Sequence, residues 1–162
     1  KNNLLAVEQQ SLRTGQPMLA HQNHPNFGYA ITAEDMAAVL EEKFFEVYNG
    51  HPGVKHEGDH EHASVERLWD IANTIRLVEL KAAPLYGIGT DDSHSYHGKP
   101  NASHPGRGWT MVRSTHLTPE YILKAIKAGD CYASSGVTLA DVRYDRQGRT
   151  LSLAIEGVPG VT

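Results

Sequence analysis

The apolar and polar positions along the chain follow helical spacing in four segments. Gly15 stands where a helix C-terminus needs a left-handed residue, and Thr32 with Asp35 three residues on forms an imperfect capping box. Ser64 caps a segment with apolar residues at helical spacing, and Thr118 precedes a proline at the first helical position. With their caps, the predicted helices cover about residues 4–14, 32–41, 64–78 and 118–129.

Short apolar runs between these helices predict strands at residues 16–20, 44–48, 85–89 and 108–114. Because strands and helices alternate, the order favours an α/β fold with a parallel sheet or barrel. After Cys131 the pattern changes, and residues 137–144 and 150–156 predict a hairpin around a turn at 146–148. We therefore expect a barrel part over 1–134 and the beginning of a β-rich domain over 135–162.

Composition narrows the class of protein without naming a function. The chain has 162 residues, 40% hydrophobic and 21% charged, which is typical of one folded globular domain. Its net charge of -4 and lack of a basic cluster argue against nucleic acid as a partner. No apolar run approaches the ~20 residues of a membrane span. The lone Cys131 excludes an internal disulfide and a thiolate zinc site.

Compartment and oligomeric state stay open. The chain begins at Lys1 rather than at a start methionine, so we expect that a preceding segment, including any leader, is missing. Both a cytoplasmic and an exported protein agree with the sequence.

Three polar motifs each follow a predicted strand: HQNHPN, EVYNG and TDDSH. In parallel α/β folds the carboxyl ends of strands build the active site. Asp92 and His94 would offer a divalent metal one oxygen and one nitrogen from a single turn, although an Asx-turn beside a surface histidine explains the same residues. His24 precedes a proline, which favours an extended backbone. A His-Pro pair in a loop can also have a purely structural role, so metal binding by His24 has this alternative.

The motifs resemble those of the PHP (polymerase and histidinol phosphatase) family of metal-dependent hydrolases. TDDSH is similar to that family's Gly-Ser-Asp-Ala-His motif, and LAHQNHPNFG resembles its earlier His-Pro motif. The strings NHPNFG, EVYNGHPGV, ERLWD, DDSH, PGRGW and AGDCYASSGVTL are similar to a bacterial branch with carbamate- and ester-cleaving members. The resemblance implies the C-terminal part of a distorted PHP-type (β/α) barrel.

Transferred position by position, the resemblance implies that His24, Asp92 and His94 are metal ligands. His21 competes with His24 because it completes the tripeptide LAH, and Asp91 competes with Asp92. The cofactors implied are two or three divalent ions in a complete site, with zinc, manganese or iron compatible with these ligand types.

Three further residues are expected to line the pocket. Glu46 follows His24 in sequence, whereas the family's bridging glutamate precedes that histidine, so Glu46 is expected behind the ligands. Asn26 and Tyr48 belong to the same two motifs and are expected near it. The family's N-terminal His-x-His motif has no counterpart upstream of Gln16, so the chain holds only part of the ligand set.

The implied chemistry is hydrolysis of a small-molecule phosphoester, with a carboxylic or carbamic ester as the alternative. Arg107 could clamp an anionic substrate, and His97 could donate a proton or bind substrate; each could equally be a solvated surface residue. The histidines of the acidic loop 51–62 are interpreted as a solvated lid, with adventitious metal binding as the second interpretation. A non-catalytic structural or binding module is the hypothesis from a different class.

Overall fold

The computed structural model describes residues 1–97 and 102–157, which form four α-helices and six strands. In chain order these elements are α1 (Asn2–Thr14), α2 (Ala33–Ala38), β1 (Phe44–Asn49), α3 (Val65–Thr74), β2 (Tyr86–Thr90), β3 (Trp109–Val112), α4 (Pro119–Lys127), β4 (Cys131–Ser134), β5 (Leu139–Asp145) and β6 (Thr150–Ile155). A short 3-10 turn at Phe27–Tyr29 precedes α2, and a π-helical turn at Ile75–Glu79 continues α3.

Local capping signals are confirmed at the helix ends. α1 stops at Gly15, whose φ of 68° is the left-handed conformation that glycine adopts without strain. At α2 the Thr32 hydroxyl accepts the Asp35 N–H while the Asp35 carboxylate accepts the Thr32 N–H. The Ser64 hydroxyl accepts the Arg67 N–H at α3. The Thr32 and Ser64 hydroxyls each satisfy a backbone donor that the first helical turn leaves unpaired.

β1 and β2 pair in parallel and form the inner layer of the fold. Phe44 lies opposite Tyr86 at one end of the pair, and Asn49 lies opposite Thr90 at the other, with a register shift between them. α3 packs on β1, and α2 packs on α3, so that Met36 is buried in the same apolar cluster as Phe45. The buried apolar core consists of Ala33, Met36, Ala37, Phe45, Val65, Leu68, Ala72 and Leu85.

The predicted PHP-type barrel is wrong. The described residues form three separate two-stranded sheets, β1–β2, β3–β4 and β5–β6, and no closed barrel. The predicted strand at 16–20 does not form, and only an isolated bridge joins Gln22 to Phe45. β3 pairs antiparallel with β4.

The reason for this error lies after β2. A parallel neighbour needs a crossover connection, usually a helix, and the sequence between β2 and β3 predicts a loop instead. In place of a backbone ladder, β3 contacts β2 through one side chain: the Thr110 hydroxyl donates to the Gly89 carbonyl and accepts the Gly89 N–H. The protein is therefore a mixed α/β structure of small sheets.

The hairpin predicted near the end of the chain is confirmed as β5 and β6, which pair antiparallel. Ser134 turns the chain towards this hairpin, since its hydroxyl accepts the Val137 N–H and donates to the Val137 carbonyl. The apolar side chains Val142 and Leu153 are about half exposed. The division into domains at 1–134 and 135–162 stays a prediction, and residues 158–162 lie outside the described part.

Arg76 is a buried charge that joins the end of α2 to the loop before β2. Only 1% of the residue is exposed. Its Nε donates to the Ala83 carbonyl, and its Nη groups donate to carbonyls after or at the end of α2. These acceptors are the carbonyl oxygens of Met36, Val39, Leu40 and Glu42. The guanidinium thus satisfies orphan carbonyls of a helix C-terminus.

Among the helices that the structure describes, none combines the length and the apolar character that crossing a membrane requires.

Candidate functional site

The Glu46 carboxylate is the centre of a hydrogen-bonded network where β1 and β2 end. The residue is only 4% exposed. Its Oε2 accepts the His24 N–H at 2.7 Å and the Asn49 side-chain amide at 2.8 Å, and its Oε1 accepts the Thr90 hydroxyl at 2.8 Å. The same Asn49 amide donates to Asp92 Oδ2 at 3.1 Å. We call Glu46, Asn49, Thr90, Asp92 and the His24 N–H the strand-end network; in it, a buried carboxylate positions two predicted metal ligands.

Asp92 has a strained backbone, and its carboxylate accepts a hydrogen bond from the Asn49 amide. Its φ is 46°, in the left-handed region that costs a non-glycine residue free energy. By contrast, the Asp91 carboxylate accepts the backbone N–H groups of Ser93 at 3.2 Å and Gly106 at 2.8 Å. Asp91 therefore has the hydrogen bonds of a turn-forming residue, and Asp92 is the better candidate ligand of the two.

The ring of His94 is oriented by the backbone carbonyl of Asp92, the other predicted metal ligand in the same turn. His94 Nδ1 lies 2.7 Å from the Asp92 carbonyl oxygen, so the neutral ring carries its proton on Nδ1 and has its lone pair on Nε2. Metal-binding histidines are commonly oriented this way, with one ring nitrogen donating to a carbonyl and the other free to ligate. The side chain is exposed, so Nε2 can be reached from solvent.

His24 joins the network through its backbone. Its φ is 21° although Pro25 follows, and residues before proline favour extended conformations. The expectation of an extended backbone at His24 is therefore wrong, because the N–H is turned onto Glu46 instead. The His24 ring packs against Phe27, with centroids 5.2 Å apart.

Asn26 and Tyr48 lie beside the network and support neighbouring loops. The buried Asn26 amide donates to the carbonyls of Lys55 and Ala63, both at 2.9 Å, and so ties the NHP loop to the histidine-rich loop 51–62 and the residue after it. Tyr48 stacks on the ring of His56 with centroids 4.9 Å apart. His56 Nε2 lies 2.6 Å from the Asn49 carbonyl oxygen, which fixes the backbone of a network residue.

His21 lies in another part of the molecule. With Glu42 it lines a cleft of about 370 Å³ between α1 and α2, and its Nδ1 is buried without a hydrogen-bond partner among the described residues. Burial raises the pKa of Glu42, and the backbone N–H groups of Phe44 and Lys43 oppose that rise. His21 thus neighbours a structural carboxylate, whereas His24 contacts the strand-end network.

The histidine-rich loop 51–62 is fastened at its far end. The His62 ring stacks on Tyr29 with centroids 3.8 Å apart, and its Nδ1 lies 2.8 Å from Asp59 Oδ1. The Glu61 N–H and the His62 side chain lower the pKa of Asp59 to about 2. His60, with a side chain 87% exposed, fits the solvated-lid interpretation, whereas His62 is a fixed contact.

The two candidate catalytic residues differ in their surroundings. Arg107 is half-buried, and its Nε donates to the Gly50 carbonyl at 2.6 Å, which places the guanidinium beside the end of β1. His97 is exposed and directly precedes a segment outside the described residues. The structure thus brings Arg107 to the strand ends and does not bring His97 into the network.

The residues fit a divalent metal in part. The Asp92 carboxylate and His94 Nε2 are suitable donors for a first-row cation. Over residues 1–97 and 102–157, no three His, Cys, Asp or Glu side chains lie close enough together to hold a metal ion. The described residues therefore offer two candidate donors and not a complete centre.

Sequence reasoning missed Asn49, Thr90 and His51. The sequence analysis included Asn49 in the EVYNG motif without a role, although its side-chain amide bridges two carboxylates. Asn49 is the last residue of β1, three residues after Glu46, and this spacing was the available signal for its contact with Glu46. His51 was assigned to the lid, but its ring lies 5.2 Å from that of His94.

No family model matches the chain, and neither a curated protein nor a solved structure matches it. The resemblance to the PHP family therefore stays a hypothesis that rests on the motifs.

Proposed function

We propose that the protein is a metal-dependent hydrolase in which Asp92 and His94 bind a divalent cation at the carboxyl ends of β1 and β2. The chemical class proposed for the substrate is a small phosphoester. Such a cation, when bound, lowers the pKa of water and stabilises charge on the substrate oxygen.

The observation that carries this proposal is the arrangement of Asp92 and His94. The ring of His94 is oriented by the Asp92 carbonyl at 2.7 Å, which leaves Nε2 as the acceptor. The Asp92 carboxylate is held from behind by Asn49, and Asn49 by the buried Glu46. A surface Asx-turn at Asp92 would form without the link through Asn49 to the buried Glu46. Strained backbone concentrates at functional sites, and both Asp92 and His24 have positive φ.

The remaining polar residues have roles that fit anionic substrates. Arg107 donates to the Gly50 carbonyl directly after β1, and a guanidinium suits phosphoryl oxygens because it offers several donors in one plane. A carboxylic or carbamic ester is the alternative substrate. Because such an ester group is uncharged, it would depend less on the positive charge of Arg107.

Zinc titration by calorimetry, with hydrolysis of a chromogenic phosphodiester followed in parallel, tests the proposal. His94→Asn retains a donor at the Nδ1 position but removes Nε2, and Asp92→Asn retains the acceptor for Asn49 but removes the charge. We expect each to weaken zinc binding by at least the ~10–100-fold known for partners behind the ligands, and activity to fall with it.

Asp91→Asn is the matched control, since it changes an adjacent carboxylate that two backbone N–H groups already occupy. It should bind zinc like the parent protein. Equal zinc binding in all four proteins would refute the proposal and favour the non-catalytic binding module. A loss confined to Asp91→Asn would move the ligand to the neighbouring residue.

A further inference from the structure

The peptide bond that joins Gly50 to His51 is fixed by two hydrogen bonds, one to β2 and one from Arg107. The Gly50 N–H donates to the Thr90 carbonyl at 2.9 Å, which fixes this peptide to the end of β2. Arg107 Nε donates to the Gly50 carbonyl at 2.6 Å. A Cβ on Gly50 would lie 2.7 Å from the Arg107 Cβ, so only glycine lets the arginine approach this closely.

His51 is held as a hydrogen-bond donor. Its Nδ1 accepts the Gly53 N–H at 3.1 Å, so the neutral ring carries its proton on Nε2. A ring in this state cannot offer Nε2 to a metal, but it can donate to an oxygen. Its centroid lies 5.2 Å from that of His94, which places the donor beside the proposed ligand pair.

Arg107 has donors to spare. Only its Nε is hydrogen-bonded, and within residues 1–97 and 102–157 the two Nη groups have no partner. Asp91 also lies close to Gly50, since its Cα would be 3.0 Å from a Cβ placed on that glycine. Among the described residues no ion pair joins its carboxylate to Arg107, and its oxygens accept the backbone N–H groups of Ser93 and Gly106.

We propose that His51 and Arg107 form an oxyanion site that binds the phosphoryl group of the substrate, with His51 donating from Nε2 and Arg107 from its Nη groups. The inference rests on the proposed hydrolase function and names the part of the site that takes the substrate. A tetrahedral phosphoryl group presents several oxygens and so can accept from two donors that approach from different side chains. His51 would be a substrate-binding residue and not part of the lid.

Calorimetric titration of the metal-free protein with inorganic phosphate tests this inference separately from metal binding. His51→Asn retains the acceptor for the Gly53 N–H and removes the distal donor, whereas His51→Gln extends an amide donor to about the Nε2 position. We expect His51→Asn to weaken phosphate binding about tenfold, the effect of losing one hydrogen bond to a charged acceptor. His51→Gln should stay within about threefold of the parent, and Arg107→Met should weaken binding at least as much as His51→Asn.

His60→Asn, in the same loop but exposed, is the control and should leave phosphate binding unchanged. Phosphate affinity in His51→Asn equal to the parent's would overturn the inference, even if the zinc experiment succeeds. A loss in His51→Asn that His51→Gln restores would support it, even if zinc does not bind. Acetate binding as tightly as phosphate would overturn the phosphoryl assignment, because a carboxylate would then satisfy the site equally well.

Discussion

Arg76 and Glu46 are both buried charges, and they differ in what their partners do. Among the described residues, the Arg76 guanidinium donates to backbone carbonyls alone, near the end of α2 and at Ala83. Glu46 accepts from the backbone of His24 and from two side chains, and one of these also holds Asp92. The Arg76 contacts therefore stay within the buried backbone. The Glu46 contacts extend through Asn49 to Asp92, which is partly exposed.

On the basis of this difference, we interpret Arg76 as a structural charge and Glu46 as part of the proposed site. Burying a charge costs free energy that hydrogen bonds must offset. At Arg76 these hydrogen bonds satisfy carbonyl oxygens at the C-terminal end of α2, a purely structural role. At Glu46 an apolar residue could not accept the His24, Asn49 and Thr90 donors, and so could not orient Asn49 towards Asp92. A buried charge whose partners are themselves candidate ligands therefore points to a site.

The largest effect on stability is expected from Arg76→Met. The substitution keeps much of the buried volume but leaves five carbonyl oxygens without their donor. We expect a loss of about 3–5 kcal/mol in the free energy of unfolding, measured by urea denaturation. Zinc affinity of the folded protein should not change. Arg67→Met, at an exposed position of α3, is the control and should change stability little. A weakened zinc affinity in folded Arg76→Met would break the distinction between the two charges.

Glu46 is expected to have a smaller effect on stability and a larger effect on the site. Glu46→Ala removes the acceptor of three hydrogen bonds and should cost about 2–3 kcal/mol in unfolding free energy. It should also weaken zinc binding by about 10–100-fold, since Asp92 loses its support. Glu46→Gln can keep its oxygen on the His24 and Asn49 donors and donate to Thr90, whose hydroxyl reverses direction. It should therefore lie between Glu46→Ala and the parent in both measurements. Zinc affinity untouched in Glu46→Ala would show that the network is structural only.

The contrast also shows what sequence reasoning can reach. Local signals predicted β1, the capping box at Thr32 and the hairpin, because the residues that decide them are neighbours in the chain. The barrel prediction failed because it depended on partners distant in sequence. The segment 16–20 is apolar enough for a strand, but it does not pair. The nearest pairing is the isolated bridge between Gln22 and Phe45. A strand needs a neighbour, and no local pattern supplies one.

The site was reached in the same partial way. Placing Asp92 and Glu46 near one sheet edge followed from strand direction alone, and both are in one network. Asn49 could not be identified as the link, because its bridging role depends on a contact 43 residues away. Arg76, the most buried charge, gave no signal, since a lone arginine on a helix is ordinarily solvated.

The smallest effect is expected at Glu42, which tests the structural side of the comparison through pH. Glu42 is buried, and burial raises its pKa above the ordinary value of 4.5. Because the folded state then holds the proton more tightly than the unfolded state, its contribution to stability is complete below 4.5 and is lost as pH rises towards the folded pKa. Glu42→Gln keeps an oxygen for the N–H groups of Lys43 and Phe44 and carries no charge. We therefore expect the variant to lose less stability than the parent between pH 4 and pH 7 in urea denaturation at several pH values. A parent and a variant with the same pH dependence would mean that Glu42 ionises as freely in the folded protein as in the unfolded chain, because its backbone donors and the nearby Arg76 charge offset the cost of burial in full.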